Sequence, residues 1–353
     1  MLYICLTFDY ELFLGDNKRS EEEILFVPSR KIIDMLYRQR VSGTFFADVC
    51  SVFQYEKYKL MEYPDSFGRQ IKYMNEKGQD VQLHLHPNWM KSTWENGKWN
   101  MDVDSYKLHY FSKESSSSME EIFQMGKEYL EKQLEEDKDY KCIAYRAGGF
   151  CLQPEEKIIA CMLKYQIGIE SSVAPRLVAK GAVNDYDFQK VPQKLNWWIN
   201  AKKGISHDAE KSEKAVFEVP VGTVRNNVFR FLKVPREDWH VPNHPVYGSS
   251  IKFPHKRERK LSALVRNVWR RAFGYGILSL DSRGYKILFG DLQLLYKKYH
   301  CRDQDAYVSL ICHPKLADQK TIDNMENLIE MVKKNSDKFA FVNMREIYDR
   351  ECM

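Results

Sequence analysis

Short apolar runs recur along the chain between longer stretches of helical period, and this rhythm constrains the fold more than any other feature. Strand-length runs lie at 2–9, 43–48, 79–86, 142–146, 166–171, 215–220, 306–312 and 339–343, with amphipathic helical patterns near 29–40, 66–77, 119–135, 153–165 and 320–334. Strands separated by helices pair in parallel, because each crossover returns the chain to the same end of the sheet. About eight strands in this order predict a β/α barrel. Ser66 and Gly78 read as the cap and the stop of the second helix, and Pro154 suits the first turn of the fourth.

With 353 residues, 44% of them hydrophobic, the chain can bury a large core, and one elaborated domain spanning 1–353 fits best. Two stretches break the rhythm. Residues 88–118, with Trp89, Trp94, Trp99 and a serine run at 115–118, read as a long loop over the barrel mouth. The loop is expected to shape a substrate cleft, its aromatic residues being equally able to form a small core of their own. The second is 222–300, where twelve Lys and Arg stand against three Asp and Glu between Arg225 and Arg271; the chain's net charge of +5 is therefore concentrated there. Within it, 259–273 has the spacing of a basic amphipathic helix, which suits peripheral contact with an anionic membrane or, with twice the weight, docking on the barrel. No nucleic-acid module accompanies the charge, so nucleic acid is not an expected partner.

The first residues run straight into a strand pattern with no basic, then apolar, leader, which predicts a cytoplasmic protein; no apolar run is long enough to span a bilayer. Eight scattered cysteines without Cys-x-x-Cys pairs read as reduced core residues.

Strand alternation assigns side chains to faces. In the first strand Leu2, Ile4, Leu6 and Phe8 point one way, whereas Thr7, Asp9 and Glu11 point the other. In the third, Gln82, His84 and His86 oppose Val81, Leu83 and Leu85; Arg146 stands just ahead of Gly148 and Gly149, and His313 ends the seventh strand. Polar residues thus fall at C-terminal strand ends, which converge on one mouth in a β/α barrel. Two imidazoles and a carboxylate supply three ligands and leave open the fourth position of a catalytic zinc-type site, with an acid and a histidine left to move protons. Each residue alone has a plainer reading, as a turn, cap or surface pair; their joint placement carries the inference.

The segments Leu6-Thr-Phe-Asp-Tyr-Glu11, Gly43-Thr-Phe-Phe46, Gly78-Gln-Asp-Val-Gln-Leu-His-Leu-His-Pro87, Tyr145-Arg-Ala-Gly-Gly-Phe150 and Leu310-Ile-Cys-His-Pro314 resemble, in order, the motifs of the polysaccharide deacetylase (NodB homology) family. The resemblance implies a distorted (β/α)7–8 barrel of the glycoside hydrolase/deacetylase type with insertions. It further implies hydrolysis of a carbon–nitrogen bond in an N-acetylated, or an ester in an O-acetylated, sugar. It implies one divalent metal ion, zinc first, on Glu11, His84 and His86, with Asp9 as base, His313 as acid and Arg146 holding Asp9. Tyr10, Gly148, Gly149, Phe150, Glu170 and Trp89 would support the site or contact substrate. The chain departs from the family pattern at the metal. Tyr10 replaces a second aspartate, so Glu11 becomes the third ligand, and the two histidines are two apart instead of four. Around Glu170-Ser-Ser-Val173 the family usually has an aspartate. A phosphate-bearing, lipid- or nucleotide-linked sugar would account for both the basic segment and the missing leader. A metal-free hydrolase of linear carbon–nitrogen bonds, a glycoside hydrolase on the same barrel, and a carbohydrate-binding protein without turnover are the alternatives.

Overall fold

The apolar face of the first run sets the centre of the structure. Leu2, Ile4, Leu6 and Phe8 are fully or almost fully buried in the outer core beneath the helices, while Cys5 joins a smaller inner cluster with Phe46, Ile169 and Phe217. Beyond Cys5, the inner face turns polar at Thr7, Asp9 and Glu11. A one-residue slip would exchange the two faces, forcing large apolar groups into the small inner cluster and burying carboxylates without partners in the outer core, so register is pinned.

The computed structural model describes residues 1–113, 118–181, 183–227, 235, 248–250 and 273–353. Its main sheet contains β1 (Leu2–Tyr10), β2 (Thr44–Asp48), β3 (Asp80–Leu85), β4 (Ala144–Ala147), β5 (Ile169–Glu170), β6 (Trp197–Asn200), β7 (Ala215–Glu218), β8 (Ala306–Cys312) and β9 (Phe339–Phe341). The order is β6-β7-β5-β4-β3-β2-β1-β8, with β9 also paired to β1. All pairings are parallel except β6 with β7. The sheet curls, and two parallel bridges, Val221 with Ser309 and Ser279 with Ile311, bring the chain beyond β7 against β8. The architecture is the mixed α/β, barrel-type sheet that the rhythm predicts.

Helices at Val27–Arg38, Glu62–Glu76, Met119–Gln133, Glu156–Lys164 and Gln319–Lys333 match the periodic stretches. Their starts differ from the local signals: Ser66 lies inside its helix, which begins at Glu62, and Pro154 precedes its helix, which begins at Glu156. Additional helices occupy Val49–Lys57, Tyr285–Lys298 and Met344–Glu351. Among the described residues no helix is long and apolar enough to cross a membrane. The cysteines are free, and all but Cys352 are buried.

The aromatic loop folds on itself. A hairpin of Thr93–Glu95 and Lys98–Asn100 follows the turn Pro87–Lys91, and Trp99 packs against Tyr55, Trp89 and Trp94 with ring centroids 4.9, 5.2 and 5.2 Å apart. Trp89 is fully buried. It serves this small core and is not a substrate contact, because no surface of its ring is left for a ligand. Of the serine run, only Ser118 is described; it caps the helix Met119–Gln133 through a capping box with Glu121. The helix expected at 259–273 falls almost wholly outside the described residues, as does most of the basic segment.

Candidate active site

Asp9 and Glu11 leave the end of β1, His84 and His86 the end of β3, Arg146 the end of β4, and His313 the residue after β8. The structure brings all six together. Because β3 and β4 pair with His84 opposite Arg146, the histidine's Nδ1 lies 2.8 Å from the Arg146 carbonyl. That nitrogen donates to the carbonyl, which fixes the tautomer and leaves the Nε2 lone pair facing inward. His84 Nε2 is 3.1 Å from Glu11 Oε2, and the same oxygen meets His86 Nε2 closely.

The ligand atoms of Glu11, His84 and His86 lie within 4.8 Å of one another, and all three residues are buried. His86 Nε2 is also buried without a hydrogen-bond partner, since its contact with Glu11 lacks hydrogen-bond geometry. A buried ring nitrogen left in that condition costs about 1–3 kcal/mol unless something else takes its lone pair. Two imidazole nitrogens and one carboxylate oxygen around an open side fit a zinc-type cation. Burial alone would raise Glu11, but the Lys315 ammonium and the two imidazoles outweigh it and hold the carboxyl well below the usual range. His84 is raised: burial pulls it down, but the hydrogen bond that its protonated Nε2 donates to Glu11, with the charges of Asp9, Glu11 and Asp48, pulls it up further. An arriving cation must displace that proton, which makes affinity depend on pH.

Arg146 is fully buried, and four contacts use its guanidinium. Nη1 donates to Asp9 Oδ1 at 2.6 Å and Thr7 Oγ1 at 3.0 Å, while Nε and Nη2 donate to the carbonyl and hydroxyl of Ser171 at 2.8 and 3.0 Å. Asp9 is therefore oriented by a rigid fork, with Oδ2 turned toward His313 Nε2 at 3.8 Å. His313 binds Asp281 through both its backbone N–H (2.9 Å) and its Nδ1 (2.8 Å), so Nε2 faces the site. Burial would depress His313, but the hydrogen bond and charge of Asp281, with Asp9 and Glu11 behind, raise it above its ordinary value.

A cleft of about 440 Å³ opens beside His313 between Phe150, Leu177, Tyr275, Ile277 and Arg283. That is roomy enough for a small ligand. Gly148 and Gly149 precede Phe150 in a tight turn against His86. A Cβ at Gly148 would stand 2.6 Å from His86 Nδ1, and Gly149 takes φ +57° with Val183 O where a side chain would go. Phe150 reaches the cleft wall from the same turn.

Two expected contributors lie elsewhere. Tyr10 points to the outer face, where its hydroxyl donates to Gln70 Oε1 at 2.6 Å, as alternation with Asp9 and Glu11 requires. Glu170 is in register with Tyr145 and Glu218 on the outer face and is fully buried; it reaches the site only through Ser172, whose hydroxyl accepts from the Ala147 N–H at 2.7 Å. Three contributors escaped the sequence reading. Asp281 comes from the second insertion. Lys315 follows His313 and donates to Glu11 Oε1 at 2.7 Å. Asp48 accepts the His86 N–H at 3.1 Å through Oδ1, while Oδ2 has no hydrogen-bond partner. The strand-end rule that selects His84 applies equally to Asp48, its partner in register.

No family model and no curated protein matches the sequence. Among solved structures, a protein assigned as a polysaccharide deacetylase from Mycobacterium smegmatis matches with a TM-score of 0.50 at 12% identity, over 99% of this chain and 90% of that one. One assigned to the same activity from Pseudomonas aeruginosa PAO1 matches with 0.48 at 13%, over 99% and 91%, and PuuE allantoinase with 0.49 at 11%, over 98% and 88%. At such identities likeness speaks to fold, and the first match carries that conclusion. The chain has the (β/α)-barrel fold seen in the polysaccharide deacetylases, with the residues of its resemblance gathered at the C-terminal ends of the strands.

Proposed function

We propose that the protein is a metal-dependent hydrolase that removes an acetyl group from an N- or O-acetylated sugar. The observation that carries this reading is the joint placement of Glu11, His84 and His86 as a three-ligand set beside an Asp9 held by Arg146 and a His313 held by Asp281. A divalent ion on the three ligands would supply Lewis acidity to the acyl carbonyl and to water. Asp9 Oδ2 is free to accept the proton of the attacking water, since Arg146 engages Oδ1. His313 holds its Nδ1 proton toward Asp281 and offers Nε2–H to the departing amine or alcohol. The cleft beside His313 receives the sugar, with Phe150 and Tyr275 as apolar surfaces.

The test is acetate release from a panel of N- and O-acetylated sugars by protein stripped with chelator and reloaded with zinc. Release should require the ion, and Asp9→Asn should keep the ion while losing about 10²–10⁴-fold in kcat/KM. Full activity in Asp9→Asn would remove Asp9 as base, and no release from any acetylated sugar would overturn the reading.

A further inference from the structure

Lys315 is an unusual neighbour for a cation site. It stands in the short turn Pro314–Leu316 directly after β8, so the turn that presents His313 also sends an ammonium back toward β1. Its side chain is only 10% exposed. Nζ donates to Glu11 Oε1 at 2.7 Å and to Leu12 O at 2.9 Å, and lies 5.1 Å from the centre of the Phe13 ring. Glu11 therefore divides its two oxygens, Oε1 to Lys315 and Oε2 to the nitrogens of His84 and His86.

Two carboxylates on this face each meet a buried cation. Arg146 balances Asp9 and Lys315 balances Glu11, each across a buried contact. A buried carboxylate deprived of its cation is strongly destabilising, so the two pairs allow the strand end to keep its shape with no ion present. The same arrangement has a cost once an ion arrives. A divalent cation on Oε2 shares one carboxylate with an ammonium, and like charges a few ångströms apart in a buried, poorly screened site repel.

Resting on the metal reading above, we propose that Lys315 is a resident counter-cation: it holds Glu11 in place in the ion-free protein, and by its charge keeps a divalent ion exchangeable rather than tightly bound. Lys315 is a positioning residue that acts through Glu11. With Oε1 engaged, Glu11 would have its other oxygen to offer an ion, and Lys315 would set how strongly the site competes for metal.

The experiment compares wild type with Lys315→Met, which keeps the apolar stem, Lys315→Gln as a second neutral variant, and Lys315→Arg, which keeps the charge. Zinc affinity is measured by chelator competition, and Tm is read in excess chelator and in excess zinc. Both neutral variants should bind zinc about ten-fold tighter or more, because the repelling charge is gone. Their ion-free Tm should fall and zinc should restore most of the loss, giving a larger zinc-induced rise than in wild type. Lys315→Arg should stay near wild type in both readouts. Unchanged affinity with an equal Tm loss in both conditions would reduce Lys315 to a clamp on Leu12 and overturn the proposal, as would weaker binding, which would make it a support for the ligand and not a competitor. Zinc binding by the neutral variants but not by wild type would uphold the role of Lys315 and overturn the metal reading of the natural protein. Binding by neither would overturn both.

Discussion

At neutral pH an imidazole that must give up a proton needs a reason to hold one, and His313 has it in Asp281, whose Oδ2 receives both its Nδ1 and its backbone N–H. With the Asp281 contribution raising His313 above 6.5, the alkaline limb of kcat/KM should lie above that value. Asp281→Asn should move the limb to lower pH and reduce kcat/KM about 10²-fold or more, because the acid loses both its tautomer and its charge partner. A pH–rate profile checks this, and an unmoved limb would show that another group is the acid. Residues at this scale were legible where a regular strand presents them. The facing of Asp9, Glu11, His84 and Arg146 follows from alternation, their convergence from the barrel, and their roles from the resemblance. Asp281 has no such signal, because it sits after an isolated bridge, outside any regular strand or helix, 32 residues from the histidine it orients. Lys315 was hidden for a different reason: a turn gives no periodicity by which to aim a side chain.

Between elements, the junction of β3 and β4 is where backbone geometry reaches the site. Leu85 pairs with Ala147, so the chain leaving β4 passes directly over His86. Gly148→Ala would place a methyl 2.6 Å from His86 Nδ1 and 2.7 Å from Leu85 O, and neither the strand carbonyl nor an imidazole packed against Glu11 can yield freely. The expected result is a loss of about 1–3 kcal/mol in stability together with weaker zinc binding, seen by thermal melts and chelator competition. Unaltered zinc affinity would mean that His86 has slack. The strands of the sheet were readable as elements because each carries a buried inner or outer face. β6 was missed because Trp197-Trp-Ile-Asn200 is short and pairs antiparallel at the sheet's edge, outside the parallel rhythm. The helix Val49–Lys57 was missed because it starts at the residue after β2, leaving no loop signal between them.

For the molecule as a whole, pH acts through the outer layer as well as the site. Glu170 and Glu218 are paired in register and fully buried, and burial together with each other's charge pushes Glu218 well above its ordinary value of 4.5 while burial raises Glu170. Both carboxyls keep protons in the folded state that the unfolded chain releases, so their stabilisation is complete below about 4.5 and declines as pH rises through the folded values. Glu218→Gln, which cannot ionise, should abolish part of that decline and be the more stable protein at about pH 8, by on the order of 1 kcal/mol. Denaturant melts at several pH values decide it, and parallel curves for the two proteins would remove the pair as a source of pH dependence. The basic insertion, with its charge of +9 between Arg225 and Arg271, gives the sequence its most uneven feature.

The metal reading rests on Glu11, His84 and His86, and its direct measurement is anomalous scattering at the zinc edge from crystals soaked in zinc. One strong peak is expected about 2.0–2.2 Å from Glu11 Oε2, His84 Nε2 and His86 Nε2, open toward Asp9 and His313. A zinc-soaked crystal with no peak among these atoms, or with its peak elsewhere, would contradict it.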